Sequence, residues 1–115
     1  MGYDVHITRA AHWSESESAP ITLDEWLAVV NSDPEMRLDG VAHVATPSGT
    51  LRYTNPGLAV WTAYSEHGVD GTKVWFDHRL GMIVVKGPNE EIVGKMKRLA
   101  ARLSARVFGD EGEEY

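Results

Sequence analysis

The sequence predicts an α+β fold: an antiparallel β-meander of about five strands plus an N-terminal strand, with two amphipathic helices packed on one face. Three observations carry that expectation. Residues 37–86 are rich in Val, Thr, Tyr, Trp and Phe and are cut by Pro47-Ser48-Gly49, Asn55-Pro56-Gly57, Asp70-Gly71 and Leu80-Gly81. Such short turns join antiparallel neighbours. Two segments, opening at Thr22 and Asn89, repeat apolar residues at helical spacing, and the first residues alternate apolar with polar.

In chain order, Tyr3, Val5 and Ile7 alternate with Asp4, His6 and Thr8, as a half-buried strand requires. Residues 14–20 lack periodicity and are rich in Ser and Glu, which reads as an exposed, flexible loop. Thr22-Leu23-Asp24-Glu25 is a capping box with Ile21 and Trp26 at the staple positions. Leu23, Trp26, Leu27 and Val30 then form an apolar stripe, and Asp33-Pro34 ends the helix because the residue before proline disfavours helical dihedrals. Strands are expected near 37–46, 50–54, 58–64, 73–79 and 82–86.

Asn89 caps the second helix, with Glu90 and Glu91 at the end where the helix dipole favours anions. Its buried stripe is Ile92, Met96, Leu99, Ala100 and Leu103, beside a basic stripe of Lys95, Arg98, Arg102 and Arg106. Residues 106–108 suggest a last short strand, and 109–115 a flexible acidic tail. Trp61 and Trp75 fall on expected hairpin partners, so a large aromatic surface is expected on the sheet face away from the helices.

The 115 residues fit one domain, 1–115, and the 43% hydrophobic and 24% charged shares are those of a folded chain rather than a disordered one. No apolar run reaches membrane-spanning length and no secretory signal is readable, so a cytoplasmic protein is expected, with no membrane partner. The absence of cysteine excludes disulfides, thiolate nucleophiles and sulfur-bound zinc. A net charge of −6 disfavours nucleic acid, although four carboxylates of the last six residues carry most of it.

Candidate catalytic residues are Asp4 and His6 on one strand and Asp77 and His78 on another. A carboxylate beside an imidazole fixes its tautomer and raises its basicity, the arrangement used in general-base chemistry. The plainer reading is a polar strand face. Trp75, Asp77 and Arg79 share a face and would anchor a ligand acid group against an aromatic wall, unless they form a cross-strand ion pair. Candidate binding residues are Trp13, Trp61, Trp75, Arg79, Asp110 and Glu111. The histidines (His6, His12, His43, His67 and His78) show no metal-ligand spacing, and residues 109–113 lack the oxygen spacing that calcium needs. No metal and no cofactor is expected.

Residues Tyr3-Asp4-Val5-His6-Ile7-Thr8-Arg9, Ile21-Thr22-Leu23-Asp24-Glu25-Trp26-Leu27, Ser32-Asp33-Pro34-Glu35 and Gly109-Asp110-Glu111-Gly112-Glu113 together resemble a group of small, stand-alone, uncharacterised bacterial proteins. The resemblance covers nearly the whole chain. It implies a bacterial, single-domain, soluble protein and supplies no catalytic residue to carry over. The functional expectation is a non-enzymatic protein-interaction module, accessory or inhibitor-like, docking a protein partner or a second copy through its open sheet face, aromatic residues and acidic terminus. The alternative is a small-molecule-binding protein or enzyme with a pocket lined by Asp4, His6, Trp13, Asp77, His78 and Asp110.

Overall fold

The computed structural model describes residues 3–115. Its elements are β1 (Asp4–Thr8), a 3-10 helix (Trp13–Ser18), α1 (Leu23–Ser32), β2 (Met36–Leu38), β3 (Val41–Thr46), β4 (Gly49–Thr54), β5 (Leu58–Trp61), a 3-10 turn (Val69–Gly71), β6 (Trp75–Arg79), β7 (Met82–Lys86), α2 (Glu90–Arg102) and β8 (Arg106–Gly109). Six strands form an antiparallel sheet in the order β2-β5-β6-β7-β1-β8, and β3 and β4 form a separate two-stranded sheet. This is the predicted α+β class, an antiparallel sheet with helices.

Both helices cover one face of the sheet. Val5 and Ile7 of β1, Ile83 and Val85 of β7, Phe76 of β6 and Val107 of β8 share a core cluster with Trp26, Val29 and Val30 of α1 and with the apolar stripe of α2. Alternation puts these strand residues on one side, and burying each large side chain contributes about 1.5–3 kcal/mol. Thr22 caps α1 as the sequence requires: its hydroxyl accepts from the Glu25 N–H, and the Glu25 carboxylate accepts from the Thr22 N–H. The α1 stripe is rotated slightly from expectation, with Val29 buried beside Trp26 and Val30 while Leu23 and Leu27 are half-buried. The five apolar residues foreseen on α2 are all buried.

The meander departs from expectation at Gly40. Its left-handed φ of +73°, open to glycine at little cost, breaks the expected strand 37–46 into β2 and β3. Backbone bonds from Gly40 N–H to Leu58 O and from Asn55 N–H to Gly40 O clamp the break. As a result β2 pairs with β5, and the hairpin β3–β4 leaves the main sheet.

Trp61 also departs from expectation. Val60 pairs with Trp75, so Trp61 is offset by one residue and points to the helix side, where it is 3% exposed. Only Trp75 of the two lies on the far face.

The segment read as an exposed loop is partly a built cover. His12 Nδ1 accepts from the Ser14 N–H at the start of the 3-10 helix Trp13–Ser18, and buried Ser16 donates to Leu80 O at 2.7 Å. The acidic end is likewise held. Gly109 N–H donates to Glu113 O, Tyr115 N–H donates to Val107 O, and Glu114 bridges Phe108, so the chain end lies along the outer edge of β8. An edge so covered offers no free row of backbone donors. No helix among the described residues is long and apolar enough to cross a membrane.

Candidate functional site

The strand registers set Phe108, His6, Val84, Asp77 and Leu58 in a row across five strands on the face away from the helices. Phe108, His6, Val84 and Leu58 are at most 5% exposed, so this face is covered rather than open. The 3-10 helix Trp13–Ser18 covers one end and the hairpin β3–β4 the other.

At the first end, Trp13 stacks on His6 with ring centroids 4.4 Å apart and planes within 7°. His6 Nε2 lies 2.8 Å from Asp110 Oδ1, while Asp110 Oδ2 accepts from the Asp4 N–H at 2.8 Å. The Trp13 indole N–H donates to Asp110 O at 3.1 Å. The Asp4 N–H, joined by His6, holds the Asp110 carboxyl below its ordinary range. The imidazole is therefore sandwiched, with Nε2 committed and Nδ1 buried without a protein partner. This arrangement ties the C-terminal loop to β1. It leaves no ring edge facing a substrate.

His6 and Asp77 share a face but sit on strands separated by β7, with the Val84 side chain between them, so their backbones are about 10 Å apart. His78 points to the opposite side, where Nε2 lies 2.7 Å from Ile21 O. The four candidate catalytic residues thus occupy three separate environments. Glu111 is exposed, and its N–H bonds the Glu113 carboxylate at 3.2 Å.

The second end is concave. Between β3–β4 and the sheet lies a cleft of about 500 Å3, floored by Leu58 and Val84, walled by Trp75 and roofed by Ala42 and Tyr53 of the hairpin; past the paired end of β6 and β7 it reaches Tyr64, Val85 and Ile92 of the helix side. Asp77 and Arg79 both line it. The Tyr53 hydroxyl donates to Asp77 at 3.1 Å, the Asn55 amide donates to it at 2.6 Å, and Arg79 Nε lies 3.9 Å away. These bonds dock the hairpin on the sheet. The pairing of β6 with β7 runs from Asp77–Val84 to Arg79–Met82, so Trp75 and Lys86 line the cleft past the last paired residues. Lys73 Nζ sits 5.6 Å from the centroid of the Trp75 ring.

Three of the four tryptophans have spent their indole N–H: Trp13 on Asp110 O, Trp26 on Gly57 O and Trp61 on Glu35. Among the described residues, Trp75 alone has no such partner, and it is half-buried in the cleft.

Sequence reasoning missed two groups. Tyr53 and Asn55 came to the site only through the hairpin's docking, which no local pattern announces, whereas Lys73 stands two residues before Trp75 and Lys86 ends β7. Lys95 was read as part of a basic stripe beside the apolar one, yet it is 3% exposed and pairs with Asp33 at 2.7 Å and Glu35 at 3.0 Å. A signal did exist, because Lys95 stands three residues after Ile92 and four before Leu99, on the apolar side of α2. No group of three His, Asp or Glu side chains among the described residues is placed to hold a metal ion.

Fold and cleft together define an α+β protein whose antiparallel sheet has helices on one face and a hairpin-roofed cleft on the other. No family model, no curated protein and no solved structure matches the chain. The functional reading therefore rests on its own residues.

Proposed function

We propose that the chain is a small-molecule-binding protein whose ligand occupies the cleft between the hairpin β3–β4 and strands β5, β6 and β7. One observation carries this reading: an apolar floor, a half-buried tryptophan whose indole N–H has no partner among the described residues, and a fixed polar cluster line one cleft of about 500 Å3. Ligand sites have this size and this mixture of apolar walls with a few placed polar groups. Asp77, bonded by Tyr53 and Asn55, acts as an orienting acceptor.

The four indole N–H signals in a nitrogen–proton NMR spectrum test the reading. Screening a fragment library should give hits that shift the Trp75 signal while those of Trp13, Trp26 and Trp61 stay in place. A screen with no hit, or hits that shift only residues on the outer edge of β4, overturns it.

A second reading, the protein-interaction module, is supported by β4, whose six residues are all exposed, with Leu51 at 62%. A two-stranded ribbon is marginal alone and its free edge is a template for another strand, and the partner that fits by symmetry is the same edge of a second copy. Sedimentation of wild type and Leu51→Lys tests this: a dimer that the substitution dissociates supports it, and a monomer at high concentration removes it.

A further inference from the structure

We infer that the cleft's ligand is a planar anion, an aromatic ring bearing a carboxylate or phosphate, with its ring on Trp75 and its acid group between Lys73 and Lys86. The inference rests on the cleft being a ligand site and adds the ligand's chemistry.

The first argument is charge. The chain carries a net −6, yet the cleft is lined by Lys73, Arg79 and Lys86 against a single carboxylate, Asp77. A concave site of reversed sign focuses a field that favours anions. Asp77 does not cancel it evenly. Its oxygens accept from Tyr53 and Asn55, and the guanidinium nearest to it is that of Arg79, on the same strand.

The second argument is position. Arg79 lies four residues along β6 from Trp75, about 13 Å away, and its charge faces Asp77. The cations at the tryptophan end are less engaged. Lys73 reaches Asp39 only at 4.0 Å, with their side chains 43% and 31% exposed, and Lys86 has no ion pair among the described residues. Trp75 and Lys86 both line the cleft past the point where the β6–β7 pairing ends. Two exposed ammonium groups therefore line the cleft together with Trp75, whose indole N–H has no partner among the described residues.

The third argument is shape. Lys73 already rests over the Trp75 ring, so a ring face is reachable and attracts a cation. A flat ligand takes that face by stacking, and Lys73 moves from ring to acid group. Where β6 and β7 part, the cleft reaches the helix side, lined there by Val85 and Ile92, and the Tyr64 hydroxyl is already engaged by Glu66 and Asn89.

Calorimetric titration with four probes of one ring system tests the inference: 2-naphthoate, 2-naphthyl phosphate, neutral 2-naphthamide and cationic 2-naphthylmethylammonium. One or both anions should bind about tenfold more tightly than the amide, the advantage expected from two partly desolvated charge pairs. Lys73→Met with Lys86→Met should abolish that advantage, so that the anions bind no more tightly than the amide, whereas Lys97→Met on the exposed side of α2 should alter nothing. Both cleft lysines are exposed, so the double variant is expected to fold. Equal affinity for amide and anions, or a preference for the cation, overturns the anion and leaves the cleft a ligand site. Binding of none of the four overturns both.

Discussion

Lys95 and Asp33 join the two helices through a buried ion pair, Nζ to Oδ2 at 2.7 Å, with only 4% and 10% of their side-chain surfaces exposed. Glu35 completes the cluster, accepting from Lys95 at 3.0 Å and from the Trp61 indole at 3.1 Å. Asp33 also accepts from the Glu35 N–H, so the Ser32-Asp33-Pro34-Glu35 turn that stops α1 is the same turn that receives the lysine. An isolated ammonium at this depth would be costly, and its two carboxylates offset that cost.

Removing one partner should cost more than removing the shared charge. Asp33→Ala leaves Lys95 with Glu35 alone and is expected to lose about 3 kcal/mol, whereas Lys95→Met keeps the apolar stem and should lose less than about 1.5 kcal/mol. Urea unfolding of both variants checks the order, and a Lys95→Met loss larger than that of Asp33→Ala refutes it.

Acid should weaken the fold through specific carboxylates. The Arg9 guanidinium, helped by the Thr22 N–H, lowers the Glu25 pKa to about 2. Lys95 and the Trp61 indole hold Glu35 below its ordinary range. Burial works to raise the Asp33 pKa, but Lys95, the Glu35 N–H and Arg102 outweigh it and the net shift is downward. A carboxyl whose folded pKa lies below its unfolded value contributes stability that is present above the unfolded pKa and lost as pH falls through the folded one. Urea midpoints should therefore be level from neutral pH to about 4.5 and fall from there toward 2, the interval spanned by Glu25. Arg9→Met should flatten part of that fall. Equal slopes in wild type and variant would exclude the Arg9–Glu25 pair as a contributor.

Gly57 is required for space. A Cβ there would lie 2.7 Å from the His78 Cβ and 3.1 Å from Leu23, in a turn whose carbonyl receives the Trp26 indole. Gly57→Ala should cost about 1–3 kcal/mol through overpacking, despite the gain from a stiffer unfolded chain. A thermal midpoint at or above that of the wild type counts against this packing.

Asp110 should matter for order at the chain end. Asp110→Ala leaves the Asp4 N–H and His6 Nε2 without their acceptor, at a cost of about 1–3 kcal/mol, while Asp110→Asn keeps one acceptor oxygen and should cost less. The upfield ring-current shift of His6 protons by Trp13 reports the local geometry. It should persist in the Asn variant and shrink in the Ala variant; the same shift in both would mean that stacking alone positions the imidazole.

Much of the fold was legible because its signals are local. The capping box of Thr22 and Glu25, the stop at Asp33-Pro34 and the five-residue stripe of α2 act within one or two helical turns. Alternation likewise placed His6 opposite Val5 and Asp77 beside Trp75. The errors fall where one residue redirects the chain. Gly40 splits an expected strand and Val60–Trp75 pairing turns Trp61 inward, both settled by partners distant in sequence. The site was half legible: Trp75, Asp77 and Arg79 were named from one strand, while Tyr53, Asn55 and Lys86 arrive from others.

The sequence by itself determined the class of the fold, the helix ends, which helix faces are buried and the absence of sulfur chemistry, since those depend on side-chain identity and short spacing. Only the tertiary structure decided that the far sheet face is covered, that Asp33 and Glu35 receive Lys95, and that Asp77 is parted from His6 by Val84. Those outcomes depend on strand order and on where the β3–β4 hairpin docks. Contacts that span tens of residues obey no short period, so their information is spread over the whole chain.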